Sequence, residues 1–164
     1  MKKQLISISF IALTLLGFTT SSCKKDKIKG CMNPDATNYS SSVTEDDGSC
    51  TFKRDKFIGN YIGSRLCTIV LADTSMTLQI TGDGIEYTKL LLNDFPESGS
   101  VVKATVNSQN ETLLIIPPQE ISNDLETYSL SGTASYYQGK IILNYIKNNA
   151  GTLDTCGLNI DKQN

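Results

Sequence analysis

From Phe57 onward, apolar and polar residues alternate in short runs, a period of two that suits strands with one buried and one wet face. Leu78 and Ile80 sit between Thr77, Gln79 and Thr81, and Val102, Ala104 and Val106 between Lys103 and Thr105. Tyr128, Leu130, Gly132, Ala134 and Tyr136 alternate with Ser129, Ser131, Thr133 and Ser135. Turn formers separate the runs: Gly82-Asp83-Gly84, Asn107 to Asn110, Gln138-Gly139, and Asn148-Asn149-Ala150-Gly151. The pattern predicts strands over 57–72 (bent at Gly63), 75–81, 85–92, 101–107, 111–116, 126–137, 140–147 and 153–160. Longer breaks are expected at 93–100 and 117–124, where Pro117 and Pro118 cannot donate to a ladder. The expected class is all-β: an antiparallel up-and-down barrel or a sandwich of about eight strands.

Residues 1–22 read as targeting rather than fold. Lys2 and Lys3 precede a mostly apolar run from Leu5 to Phe18. That run is shorter than the ~20 residues a spanning helix needs. A basic start, a short apolar core and small residues before a cut site describe a removable signal. The run ends in Thr20-Ser21-Ser22-Cys23, which resembles the Ser-Cys form of bacterial lipoprotein signals in one group of Gram-negative bacteria. The resemblance implies cleavage before Cys23, acylation of that residue, and lipid anchoring at the bacterial outer membrane, facing periplasm or cell surface. Lys24, Lys25, Asp26 and Lys27 then begin a charged tether over 23–29.

Five cysteines are an odd number for an exported chain. With Cys23 acylated, Cys31, Cys50, Cys67 and Cys156 remain, in an oxidising compartment and with three possible connectivities. Cys31–Cys50 with Cys67–Cys156 is the preferred pairing. The first bridge closes an acidic, turn-rich segment, and the second joins the two ends of the β-rich one. Parity supports the second: Cys67 shares a face with Ile69 and Leu71, and Cys156 with Leu158 and Ile160, both expected to face inward.

Between the tether and the β-rich segment lies a small module, residues 30–52. Gly30-Cys31-Met32-Asn33-Pro34-Asp35-Ala36-Thr37-Asn38-Tyr39 leads to Glu45-Asp46-Asp47-Gly48-Ser49-Cys50. It is similar to a short Cys-bounded repeat of bacterial surface proteins that reads Gly-Cys-x-Asp-Pro-x-Ala-x-Asn-Tyr, then an acidic stretch, then Asp-Asp-Gly-Ser-Cys. Asn33, Asp35, Asn38, Asp46 and Asp47 offer oxygen ligands for weak Ca²⁺ binding, which takes six to eight of them. The preferred reading is nevertheless a disulfide knot whose acids are merely solvated, with weak Ca²⁺ binding as the alternative. The spacing is not that of an EF-hand.

The β-domain is expected over 53–164. Phe57-x-Gly59-x-Tyr61, Cys67 and a last-strand Cys156 resemble the lipocalin-like lipoproteins of these bacteria, with Tyr61 in place of the usual Trp. The likeness covers about residues 55–162.

The chain has no His, which removes Ser-His and Cys-His catalytic pairs and His-built zinc sites. Without Lys2 and Lys3 it carries 13 basic and 17 acidic side chains, about −4 in charge, with no basic aromatic patch for nucleic acid. No cofactor other than weak Ca²⁺ is expected. The first expectation is a lipid-anchored, non-catalytic barrel binding a small apolar or amphipathic ligand among inward residues such as Ile69, Leu78, Val102, Leu113, Leu130 and Leu143, unless these are simply core. The second is a structural or interaction lipoprotein touching protein or glycan, with Tyr136, Tyr137 and Tyr145 as an aromatic platform. A carboxylate-pair hydrolase is the least supported, because Asp83, Glu97, Glu111 and Glu120 are not placed as facing pairs.

Overall fold

A computed structural model describes residues 26–69, 73–96, 99–122 and 126–163. The signal segment and Cys23 lie outside the described residues. The N-terminal module holds β1 (Lys29–Gly30) and β2 (Glu45–Asp46), a short parallel pair. A 3-10 turn at Asp55–Phe57 leads into eight longer strands: β3 (Gly59–Cys67), β4 (Asp73–Gly82), β5 (Lys89–Phe95), β6 (Ser100–Val106), β7 (Leu113–Ser122), β8 (Thr127–Tyr137), β9 (Lys140–Asn149) and β10 (Thr152–Lys162). Each pairs antiparallel with the next, and β10 returns to β3, so the sheet is a closed up-and-down barrel and not a sandwich. Closure leaves no edge strand to protect.

The seam between first and last strands is bolted. Cys67 and Cys156 are register partners across β3 and β10 and form a disulfide, with Cα atoms 4.0 Å apart. The second bridge, Cys31–Cys50, closes the module. Gly63 lies on the same seam. A Cβ there would meet the backbone oxygen of Asn159 at 2.1 Å, so only glycine lets the strands approach this closely. The bend expected at Gly63 is present as a register shift between Gly63 and Arg65.

The hairpins β8–β9 and β9–β10 are tight. Gln138-Gly139 and Ala150-Gly151 all have positive φ, the two-residue geometry whose twist suits a hairpin.

Inward positions form one apolar core from Phe57 to Ile160. Cys156, Leu158 and Ile160 point inward as their parity predicts, as do Leu78, Val102, Leu130 and Leu143. Two expectations fail. Ile69 lies beyond the end of β3 and is 60% exposed. Leu113 is only partly buried, while Leu114 and Ile116 take the core. Leu113-Leu114-Ile115-Ile116 is apolar at every position, so it carries no phase of its own.

Pro117 and Pro118 do not end a strand as expected. They occupy a register shift between Ile116 and Gln119, after which β7 continues to Ser122. Two register pairs, Thr105↔Ile115 and Val106↔Leu114, join β6 to β7. Beyond them the Gln119 side chain substitutes for backbone. Its Oε1 accepts from the Lys103 N–H at 2.9 Å, and its Nε2 donates to the Lys103 carbonyl at 2.9 Å. One side-chain amide thus supplies the donor that the prolines lack, and an acceptor beside it. Gln119→Ala is expected to cost about 1–2 kcal/mol, the worth of two partly exposed hydrogen bonds, seen as a lower urea midpoint. Gln119→Glu should not rescue it, because a carboxylate oxygen would then oppose the Lys103 carbonyl.

Candidate functional site

The two ends of the barrel are chemically unlike. At one end, Phe57 is fully buried and meets Tyr136 edge-on, with ring centroids 5.4 Å apart. The Tyr61 hydroxyl donates to the Phe57 carbonyl at 2.8 Å, and burial pushes its phenol pKa upward. Arg54 lies across this end. Its Nη1 donates to the carbonyls of Asp83, Glu86 and Lys89 at 2.7, 2.5 and 3.0 Å, and its guanidinium sits 5.9 Å from the ring centroid of Phe52 and 5.6 Å from that of Tyr87. Asp83 accepts from the Ile85 and Glu86 N–H groups, which hold its carboxyl below the usual range. This end is shut by its own residues.

At the other end the inward face turns polar. Arg65 and Asp154 are each about 5% exposed, although both sit on the apolar parity of their strands. Arg65 follows Tyr61 and Gly63 in phase, and Asp154 precedes Cys156 and Leu158. Lys147 extends the inward series Ile141, Leu143, Tyr145 and is the register partner of Asp154. Its Nζ lies 2.6 Å from Glu126 Oε1 and 4.4 Å from the Tyr128 ring centroid. Asn149 Nδ2 donates to the other Glu126 oxygen at 2.6 Å. Asp154 Oδ1 accepts from Thr68 Oγ1 at 2.7 Å and from the Ile69 N–H at 2.9 Å, which ties down the chain leaving β3.

Ile69, Lys147, Asn149, Thr152 and Asp154 line an open depression of about 390 Å³ at this mouth. Its size suits a small molecule. Ile69 gives it an apolar wall, and the others give charge and hydrogen-bonding groups of both signs. The Asp154 carboxylate also lies near the sulfurs of Cys67 and Cys156. Those sulfurs are bonded to each other, so they supply no thiolate, and the trio is not a metal donor set. The barrel's centre is different. Phe95 and Tyr145 meet edge-on 5.1 Å apart inside it, and large side chains fill it from Phe57 upward.

No protein-family model, curated protein or solved structure matches this chain.

The sequence-based candidates are not brought together. Tyr145 is buried in the barrel, Tyr136 packs against Phe57, and Tyr137 is 72% exposed on the outer face. Tyr137 faces away from the other two, because odd and even positions of β8 face opposite ways, and Tyr136 and Tyr145 are committed to the interior. In the module, Asn33 Oδ1 accepts from the Asp35 N–H, Asp46 Oδ1 from Gly48, and Asp47 Oδ1 from Ser49. The Ser49 bonds hold the Asp47 carboxyl below its usual value. Asn38 bridges Ser49 and Thr51 through its amide. The module's own turns thus use oxygens of Asn33, Asn38, Asp46 and Asp47. Among the described residues, its carboxylates form no group of three close enough to share an ion. Of the acids weighed for hydrolysis, Asp83 caps a turn, Glu111 pairs with Lys53, and Glu120 is exposed on β7. Glu97 lies outside the described residues.

Arg65, Glu126, Lys147, Asn149 and Asp154 escaped the sequence reading. For Arg65, Lys147 and Asp154 a usable signal was present: a charged residue standing in the apolar phase of a strand.

Proposed function

We propose that this protein is a lipid-anchored, non-catalytic envelope protein of lipocalin-like type, acylated at Cys23 at the outer membrane, whose barrel holds a small amphipathic ligand at its mouth. The observation that carries the reading is the mixed depression beside Lys147, set on an otherwise apolar interior. A wholly apolar ligand enclosed in the centre is the weaker option, because side chains already fill that space. Lys147 and Asn149 stand ready for an anionic or hydroxylated head group, and Ile69 for an apolar segment. Glu126 pairs with both the Lys147 and the Asn149 side chains.

Native mass spectrometry of the mature protein with palmitate and with a lysophospholipid tests this reading. A one-to-one adduct is expected, weakened at least about tenfold by Lys147→Glu if a charge-assisted contact of ~1.5–3 kcal/mol becomes a repulsion. No adduct with either lipid would sink the ligand reading. The filled core would then favour the second one, an interaction lipoprotein without internal ligand.

A further inference from the structure

We infer that the closed end of the barrel and its N-terminal module face the bilayer, and that the charged mouth faces away from it. The inference rests on the acylation of Cys23 proposed above and adds a direction to it.

The module docks on the closed end. Phe52 of the module stacks on Tyr87 with ring centroids 4.1 Å apart, and the residues that follow it hold the junction: Lys53 Nζ lies 2.7 Å from Glu111, and Arg54 plugs the carbonyls of the 83–89 turn. Asp35 of the module shares a depression with Ile85, Tyr87, Asn107 and Ser108, which belong to the two loops at that end. The anchor is tied closely to this assembly. Only Lys24 and Lys25 separate Cys23 from Asp26, so three residue steps span at most about 11 Å. The mouth lies at the far ends of strands 9–11 residues long. At ~3.3 Å per residue and a tilt of about 40°, that places it roughly 25 Å from the closed end. A tether this short brings the closed end near the lipid before the mouth can reach it.

Exposed apolar side chains occur at both ends, Leu66, Ile69 and Leu153 at the mouth among them, so the tether length carries the direction. Ile85 caps the closed-end loop at 86% exposure, the highest among the exposed large apolar side chains described. Ile28 on the tether and Met32 on the module are also exposed, and Lys27 and Lys29, which both reach Glu45, flank Ile28. Apolar tips beside lysines suit an interfacial lipid surface. The open mouth would then take its ligand from the aqueous side and not directly from the bilayer beneath.

The absence of tryptophan makes a clean test possible. Ile85→Trp places a single indole at the closed end, and Leu153→Trp places one near the mouth, both at exposed positions. Each full mature protein is extracted from membranes, weighed intact, and reconstituted in phosphatidylcholine vesicles carrying a dansyl headgroup lipid. Energy transfer from Ile85→Trp should exceed that from Leu153→Trp severalfold. Equal transfer, or stronger transfer from Leu153→Trp, overturns the orientation while leaving the anchor intact. A mass without acyl chains overturns the anchoring reading itself, and is known before any transfer is measured.

Discussion

Replacing Cys67 and Cys156 together by alanine should lower the melting temperature of the barrel by roughly 15 °C, read by circular dichroism under non-reducing conditions. The bridge spans a sequence separation of 89 residues, and in the chain-entropy model a loop of that size is worth about 4.5 kcal/mol. It also sits where the loss is felt most, on the seam that turns an eight-stranded sheet into a barrel. The matched control is Cys31→Ala with Cys50→Ala. That bridge has a separation of 19 residues and closes only the module, so the module should loosen while the barrel melts close to wild type. Equal effects of the two pairs on barrel melting would show that the seam bridge has no special part in closure.

Arg54→Met is expected to destabilise the protein by about 2–4 kcal/mol, through loss of charge-assisted bonds to three carbonyls at a buried position. Urea unfolding gives the value directly. Arg54→Lys should recover only part of it, since an ammonium cannot reproduce the flat guanidinium lying between Gly82 and the Phe52 and Tyr87 rings. Gly82→Ala gives an independent check. A Cβ there would stand 2.8 Å from the Arg54 Cζ, so the substitution should displace the guanidinium without removing it. A Gly82→Ala protein as stable as wild type would mean that this end tolerates a displaced plug.

Strand phase was legible wherever apolar and polar residues alternated. Tyr128, Leu130 and Ala134 on β8 and Leu158 and Ile160 on β10 all face inward as read. It was not legible at Leu113 to Ile116, where every residue is apolar and only the partner strands choose the face. Pro117 and Pro118 announced an interruption correctly but not its repair. A glutamine two positions further on is a common residue, and nothing local says that its amide will meet the Lys103 peptide.

The mouth was half legible. Arg65, Lys147 and Asp154 each break the apolar phase of a strand, and reading that break as a signal would have located them on the interior. Their convergence at one end could not be read, because it depends on the stagger of three strands. Glu126 precedes β8 and has no phase at all, so its link to Lys147 and Asn149 exists only in the folded chain. The tyrosines failed for the opposite reason. Tyr136 and Tyr137 are neighbours in sequence and point to opposite faces, and Tyr145 packs on Phe95 in the core.

By itself the sequence determined what is local: the all-β class, the approximate strands and the turns between them. Parity also turned Cys67 and Cys156 toward the interior. These follow from a two-residue backbone period and from the φ preferences of Gly, Asn and Pro, which need no distant partner. Closure into a barrel, the filled centre, the Gln119 splice and the charged mouth were decided by tertiary structure alone. Each depends on which residues from remote strands fall into register, and that is a property of the whole closed sheet.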